Sequence, residues 1–376
     1  MTPNRASAAR KELDLLSQTG LGVAPIAPAL TRLVSTIVGA DACLIAWYSD
    51  NGVPQGFFHD TAPLNLQELF LNNYRELFVG PNEFNIFEVS QQAQLPVGNM
   101  LNPTSTYFKS NTFNLLIKPC HHHFSLDARI DVDGVTRIGL ALFRSELQPF
   151  SEADAHALRG LIPVLQRAVT KGCAGLGLVS TNEGLGHLLV SKDGRRIMLR
   201  NERAAYLLRL AKLFDQDVSL LGHEASSPQF IKRLCNELAA CSQATATAQI
   251  DVVGGTLAIS ASWMTPMVRA QAQDKVQGVS ATLASDQISV TLELQRSVAV
   301  DVVRGISALG LSPLQNRIAL FAASGGSRMA CAAHHSVSAE ALKKHLREIY
   351  AASHCADWLE LAVVLKTPTI IAAPPH

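Results

Sequence analysis

The sequence contains no paired cysteine motif, no long apolar run and no excess of charge of either sign. Its seven cysteines are dispersed without a CxxC pair, a pattern typical of reduced thiols in a cytoplasmic protein. No run of about 18 apolar residues occurs, which excludes a membrane-spanning helix, and the N-terminus mixes charged with apolar residues, unlike a signal peptide. With 32 basic and 31 acidic residues the formal net charge is +1, so any contact with nucleic acid must be local. We therefore expect a cytoplasmic protein without a membrane partner.

Motifs of catalysis are also missing. The sequence has no Gly-x-Ser-x-Gly, no phosphate-binding P-loop, no His-Glu-x-x-His and no kinase set. An acidic pair after a first strand, which a phosphoacceptor receiver domain needs, is absent as well. The sequence predicts no enzyme, no catalytic residue and no cofactor, although a small-molecule effector would fit. At 376 residues, 48% of them hydrophobic, the chain is long enough for two or three folded domains.

The clearest pattern is a series of helix signals near the C-terminus. Ser312 can cap a helix, Pro313 suits its first turn, and Gln315 can return a hydrogen bond to the cap. Apolar residues then recur at helical spacing until Gly325-Gly326, which predicts the helix end. A short second helix follows from Ser327.

Ser338 predicts the start of a third helix, from Ala339 to about Ala352. Its apolar residues face inward: Leu342, Leu346, Ile349 and Tyr350. Its basic residues face outward: Lys343, Lys344 and Arg347. This arrangement, in which a tight turn joins a short helix to a longer helix with an outward basic face, is typical of proteins that bind in a DNA groove.

These residues resemble the LuxR-type helix-turn-helix of bacterial transcription regulators. The resemblance extends without a gap from Leu311-Ser312-Pro313 to Glu360-Leu361. It implies DNA contacts by Arg328, Ser338, Lys343, Lys344 and Arg347. It also implies dimerisation through the last helix, by Trp358, Leu361 and Leu365.

The chain departs from the family pattern at several places. Ala330 stands where a Glu would complete a capping box, His335 replaces a core leucine, and Ser353-His354 replaces Leu-Gly. Residues 311–365 hold five basic and four acidic residues, a small excess for binding phosphates. These departures favour an alternative in which the protein is a partner subunit whose head binds DNA only with a related regulator. An enzyme with a regulatory sensor array is a more distant alternative.

The N-terminal half indicates an α+β module, residues 20–172. The pattern predicts a helix from Pro25 to Val38 and two hairpins. The predicted strands are Ala42 to Tyr48, Val53 to His59, Phe124 to Val132 and Val135 to Arg144. The last strand, followed by a helix that opens at Phe150-Ser151 with Asp154, is similar to the GAF-like sensors that precede LuxR-type heads.

A second module, residues 184–296, resembles a PAS domain. A strand at Gly186 to Val190, an Asp-Gly turn, a strand at Arg196 to Leu199 and a helix opened by Asn201 carry the resemblance. Later strands are predicted at Ala246 to Val253, Thr256 to Trp263, Gln277 to Leu283 and Ile288 to Leu294. A helical connector at 297–310 leads to the head at 311–366, and 367–376 are predicted to be a disordered tail.

Two histidine groups invite a metal interpretation. Cys120-His121-His122-His123 contains good ligand types, but neighbouring side chains cannot all turn to one ion. Entry into a strand or a ligand pocket is the favoured interpretation. Cys331 and His335 are four residues apart on the second helix, and there core packing is favoured. We predict no metal site.

The sequence as a whole predicts an α+β protein with two sensor domains and a four-helix head. The predicted function is a ligand-responsive dimeric transcription regulator. Its expected partners are DNA, a second copy or a related regulator, and a small molecule.

Overall fold

The computed structural model of the chain describes residues 3–145, 147–170, 176–181, 183–212, 228–240, 244–264 and 287–366. The chain divides into two compact units, Met1–Val179 with Ser297–His376, and Ser180–Arg296. Helices surround antiparallel strand pairs in the described ranges. The α+β class is therefore confirmed.

The N-terminal part of the first unit is built on a four-stranded antiparallel sheet. The strands follow the order β2-β1-β4-β3, with bounds β1 Ala42–Tyr48, β2 Pro54–His59, β3 Phe124–Val132 and β4 Val135–Arg144. Three of these bounds equal the predicted ones, and β2 begins one residue later than predicted. The helices of this part are α1 Pro3–Leu16, α2 Val23–Val38, α3 Leu64–Asn72, α4 Tyr74–Leu77, α5 Ile86–Gln92, α6 Glu152–Arg159 and α7 Ile162–Val169.

Helix α2 packs on β1 and β2 because one face of it is apolar throughout. It ends at Gly39, whose φ of 78° places it in the left-handed region, and the Gly39 N–H donates to the Ser35 carbonyl. Ser151 and Asp154 form the predicted capping box at the start of α6. Arg144 at the end of β4 holds that corner, since its guanidinium pairs with Asp154 at 3.1 Å.

The second unit contains antiparallel strands in the order β7-β6-β10-β9-β8, and the short strand β5 lies at the boundary of the two units in sequence. The bounds are β5 Leu178–Ser180, β6 Gly186–Ser191, β7 Ile197–Arg200, β8 Thr245–Val252, β9 Gly255–Met264 and β10 Gln287–Ser297, with α8 Glu202–Lys212 and α9 Gln229–Ala240. Apolar residues of both helices and the sheet form its core. Gly254 turns between β8 and β9 with φ of 77°, whereas Gly255 already pairs within β9. The predicted strand Gln277 to Leu283 lies outside the described residues.

The C-terminal part of the first unit consists of helices. They are α10 Ala299–Ala308, α11 Pro313–Ala323, α12 Arg328–His334, α13 Ala339–Ser353 and α14 Trp358–Lys366. Helix α1, which the sequence did not single out, packs against α2, α7, α10 and α11. The predicted tail at 367–376 is also outside the described residues. None of the described helices is long and apolar enough to cross a membrane.

Candidate functional site

The N-terminal sheet and its helices enclose a cavity. Its volume is ≈ 80 Å³, measured as the space open to the centres of water-sized molecules. The walls are mainly apolar and include aromatic side chains: Phe57, Phe70, Phe84, Tyr107 and Phe143. A few polar residues line it as well: His59, Gln67, Asn85, Thr112, His122, Ser125 and Asp127. Apolar walls with a small number of polar groups are typical of a small-molecule site.

One wall is the helical turn Thr112–Ile117, which Glu83 fixes in place. The Asn111 N–H donates to Glu83 Oε1 at 2.8 Å, and the Thr112 N–H donates to Oε2 at 2.9 Å. The Thr112 hydroxyl donates to the same Oε2 at 2.6 Å. A carboxylate at the start of a helical turn satisfies N–H groups that have no partner within the turn.

Three rings at the cavity wall lie nearly parallel, and we call His59, His122 and Phe143 the ring cluster. Each imidazole has its centroid 5.3 Å from that of Phe143, with interplanar angles of 12° for His59 and 11° for His122. The two imidazole centroids are 6.1 Å apart. His122 reaches the cavity from the turn before β3, and His59 is the last residue of β2. His122 therefore lines the cavity, and a ligand role for it stays a prediction.

His59 is buried in its neutral form. Its Nδ1 accepts hydrogen bonds from the Thr61 N–H at 3.2 Å and the Ala62 N–H at 3.1 Å, so the ring proton is on Nε2. Burial, with His122 as the next cause, lowers the pKa of His59 to about 4. Asp60 Oδ1 is 3.6 Å from Nδ1, but a neutral imidazole forms no ion pair there. Burial also lowers the pKa of His122.

Another part of the cavity wall carries Ser125 and Asp127, both on β3. Asp127 accepts hydrogen bonds from the Met100 N–H and from Asn99 Nδ2, each at 2.7 Å, and burial raises the pKa of its carboxyl group. Ser125 Oγ lies near the Tyr107 hydroxyl but has no partner in hydrogen-bonding geometry. His122 Nε2 is likewise buried without a partner in the described part of the chain. A buried polar atom without a partner costs about 1–3 kcal/mol, so a bound molecule that paired with it would gain affinity.

The remaining residues of the histidine stretch do not converge. His121 is exposed with φ of 60°, while the ring of His123 stacks on Phe108 with centroids 5.2 Å apart. Among the residues that the structure describes, no group of three or more His, Cys, Asp or Glu could hold a metal ion. Cys331 is buried on α12 and His335 is half-buried beside Phe321, in line with core packing.

The helix starts of the C-terminal part follow the sequence signals. Ser312 and Gln315 form the capping box of α11, whereas Ser327 accepts the Ala330 N–H alone at the start of α12. Ser338 Oγ accepts the Ala341 N–H at 3.1 Å and begins α13. The termini are therefore fixed by local hydrogen bonds.

Helix α13 packs on α11 and α12 through one side and exposes the other. The buried side chains are Leu342, Leu346 and Ile349. The five residues assigned to DNA contact are all exposed: Arg328, Ser338, Lys343, Lys344 and Arg347. Because Lys343 and Arg347 are one turn apart, they share a face of the helix. Glu348, four residues after Lys344, accepts a hydrogen bond from Gln315 Nε2.

Two features of this part were not predicted. Trp358 Nε1 donates to the Gly326 carbonyl at 3.0 Å and so joins α14 to the turn between α11 and α12. A Cβ on Gly326 would lie 2.0 Å from Phe321 Cε1, so this turn leaves no space for a side chain. The Trp358 contact joins residues far apart in sequence, and the Phe321 contact depends on the side-chain conformation of that ring, so helix signals report neither.

The residues assigned to dimerisation are spaced for one face of α14 but differ in burial. Leu361 is fully buried within its own chain, so it packs beneath the exposed side chains of α14. Trp358 and Leu365 are partly exposed, and Leu359 and Val363 are 75% and 64% exposed. Dimerisation through α14 stays a prediction, with the exposed side chains as the ones a partner could reach.

Comparisons with known proteins add little to this geometry. No family model matches the chain, and no curated protein does. Among solved structures, the chain is similar to the GAF domain of an Acinetobacter phosphoenolpyruvate-protein phosphotransferase. The identity is 16% and the TM-score 0.31, over 45% of this chain and 94% of that one. A likeness this low carries no argument about fold or function.

Proposed function

We propose that this chain is a cytoplasmic, ligand-responsive transcription regulator that binds DNA as a dimer through α12 and α13. The observation that carries the proposal is the two-sided character of α13. Leu342, Leu346 and Ile349 are buried, while the basic side chains opposite them are exposed. A helix that is held from one side and basic on the other suits the major groove.

The N-terminal cavity supports a sensor role for the same unit. Helix α2 packs on the strands that contribute Leu44 and His59 to the cavity, and α1 packs on α2. Helix α1 also contacts α10 and α11, so packed helices join the cavity wall to the DNA-binding part. A ligand can regulate DNA binding only if it favours one arrangement of these helices over another.

The test uses the purified full chain and DNA selected from a random pool for binding to it. In Lys343→Gln/Arg347→Gln two exposed cations are removed, and Lys109→Gln/Lys118→Gln removes two exposed cations from the N-terminal part. Removal of two phosphate contacts should lower the slope of log Kd against log salt by about 1.8 per head. The control should keep the slope of the parent protein.

Equal slopes for the two double variants would refute DNA contact by α13. The experiment separates this result from a general charge effect because both variants lose two positive charges. Circular dichroism and the melting temperature confirm that each variant is folded.

A second candidate function is that of a partner subunit with a weakened head. His335 Nε2 is buried with no hydrogen-bond partner among the residues that the structure describes, and α12 has half of a capping box. Both features lower the stability of the helix that supports α13. This alternative predicts no salt-dependent DNA affinity for the homodimer, and binding once a related regulator from cell extract is added.

A further inference from the structure

The cavity has a shape and a chemistry that limit what it can bind. Its ≈ 80 Å³ is several times the space of about 10–15 Å³ that one water molecule needs, so it has room for a compact molecule of several non-hydrogen atoms. The ring cluster offers it parallel faces, with interplanar angles between 11° and 14°. Aromatic groups pack well in offset or edge-on contact with such faces.

The charge of the lining disfavours an anion. No lysine or arginine is among the lining residues in the described ranges, and Asp127 is 1% exposed. A carboxylate or phosphate group entering the cavity would lose its hydration without gaining a cationic partner. It would also lie in the field of the Asp127 carboxyl group.

The cavity lining disfavours a cation as well as an anion. Both oxygens of Asp127 already accept hydrogen bonds from the loop at Asn99 and Met100. Since burial lowers the pKa of both His59 and His122, the surroundings disfavour positive charge even on the protein's own groups. An uncharged molecule avoids both desolvation costs.

Two polar atoms of the cavity lining lack a hydrogen-bond partner among the described residues. Within the described part of the chain, neither Ser125 Oγ nor His122 Nε2 has a partner in hydrogen-bonding geometry, and both residues line the cavity. We infer that the cavity binds a small, uncharged, planar ring compound with a hydrogen-bonding group that pairs with Ser125 or His122. This inference deepens the proposed function, because such a compound would be the effector of the regulator.

The test compares three probes that share one ring: benzyl alcohol, benzoate and benzylammonium. Each is titrated against the full chain at neutral pH, with Kd read by ligand-observed NMR and the melting temperature as a second measure. Benzyl alcohol should bind at least about tenfold more tightly than either charged probe, because only it avoids an unpaired buried charge.

The variant Ser125→Ala should weaken benzyl alcohol binding about three- to tenfold, as expected for one lost hydrogen bond. Ser35→Ala is the matched control, since the Ser35 hydroxyl is also buried with no partner in hydrogen-bonding geometry in the described ranges but does not line the cavity. It should leave the Kd unchanged. Should Ser125→Ala not fold, toluene gives the same comparison from the ligand side and should bind more weakly than benzyl alcohol.

Three results would each overturn the inference. They are equal or tighter binding of a charged probe, no saturable binding of benzyl alcohol, and an unchanged Kd in both the serine and toluene comparisons. None of these binding measurements involves DNA, so a negative result would refute the proposed ligand class without affecting the DNA-binding proposal. Equal salt slopes in the DNA experiment would likewise refute DNA binding without affecting the proposed ligand class.

Discussion

The burial of neutral His59 predicts a pH-dependent loss of stability. The ordinary pKa of histidine is near 6.5, and in the folded chain the pKa of His59 is lowered to about 4. Between these values the unfolded chain binds a proton that the folded chain does not, so stability falls as the pH falls. Integrated over the full interval, the contribution is about 3 kcal/mol. This contribution to stability is fully present at pH 7 and is lost as the pH falls from about 6.5 to about 4.

The perturbation is His59→Phe, which keeps a ring beside Phe143 but cannot be protonated. The variant loses the two hydrogen bonds that Nδ1 accepts, so at pH 7 it should be less stable by about 1–3 kcal/mol. Urea unfolding at a series of pH values gives the stability difference between parent and variant. The stability of the parent minus that of the variant should decrease by about 3 kcal/mol between pH 7 and pH 4. The titration of all groups that the two proteins share cancels in this difference.

Direct titration gives an independent check. The imidazole resonance of His59, assigned by its loss in the variant, should shift near pH 4 and remain constant around pH 6.5. His121→Asn serves as a control, because His121 is exposed and asparagine tolerates its positive φ. A titration of His59 near 6.5, or a stability difference that does not change with pH, would refute the assigned burial.

Two further predictions concern the C-terminal helices. Gly326→Ala should lower the free energy of unfolding by about 1–3 kcal/mol, because the new Cβ meets the Phe321 ring. Gly305 lies in helix α10 with open space around it, so Gly305→Ala should raise the free energy of unfolding by roughly 0.5–1 kcal/mol. Thermal melts of both variants decide this, and equal shifts would contradict it. Ser312→Ala removes the capping box with Gln315 and should cost about 1 kcal/mol in urea unfolding without changing the salt slope of DNA binding.

Local signals in the sequence predicted the local structure well. Ser312, Pro313 and Gln315 form the expected helix start because a capping box needs only residues within one turn. Strands β1, β3 and β4 have the predicted bounds, since the turns of their hairpins, at Asn51-Gly52 and Asp133-Gly134, are encoded by adjacent residues. Helix α13 also begins where Ser338 predicts it.

Contacts between distant residues could not be predicted in the same way. The cavity joins His59 at the end of β2 to His122 and Asp127 near the start of β3, and only the histidine stretch gave a signal for one of them. Helix α1 was missed because its amphipathic pattern is weak, although Leu13, Leu15 and Leu16 are almost completely buried. Its packing depends on α10, nearly 300 residues later.

The modest charge of the C-terminal helices is compatible with the proposed control of DNA binding through dimer arrangement. Each head offers four exposed basic side chains for phosphate contact: Arg328, Lys343, Lys344 and Arg347. Four contacts give a salt slope of about 3.6 for one head and about 7 for two heads that reach DNA together. If the proposed function holds, a head with so few contacts would bind weakly alone, and its affinity would depend on whether the second head reaches its half-site. A ligand that moves α1 against α10 and α11 would therefore need to change only the spacing of the heads, without altering any residue that contacts DNA.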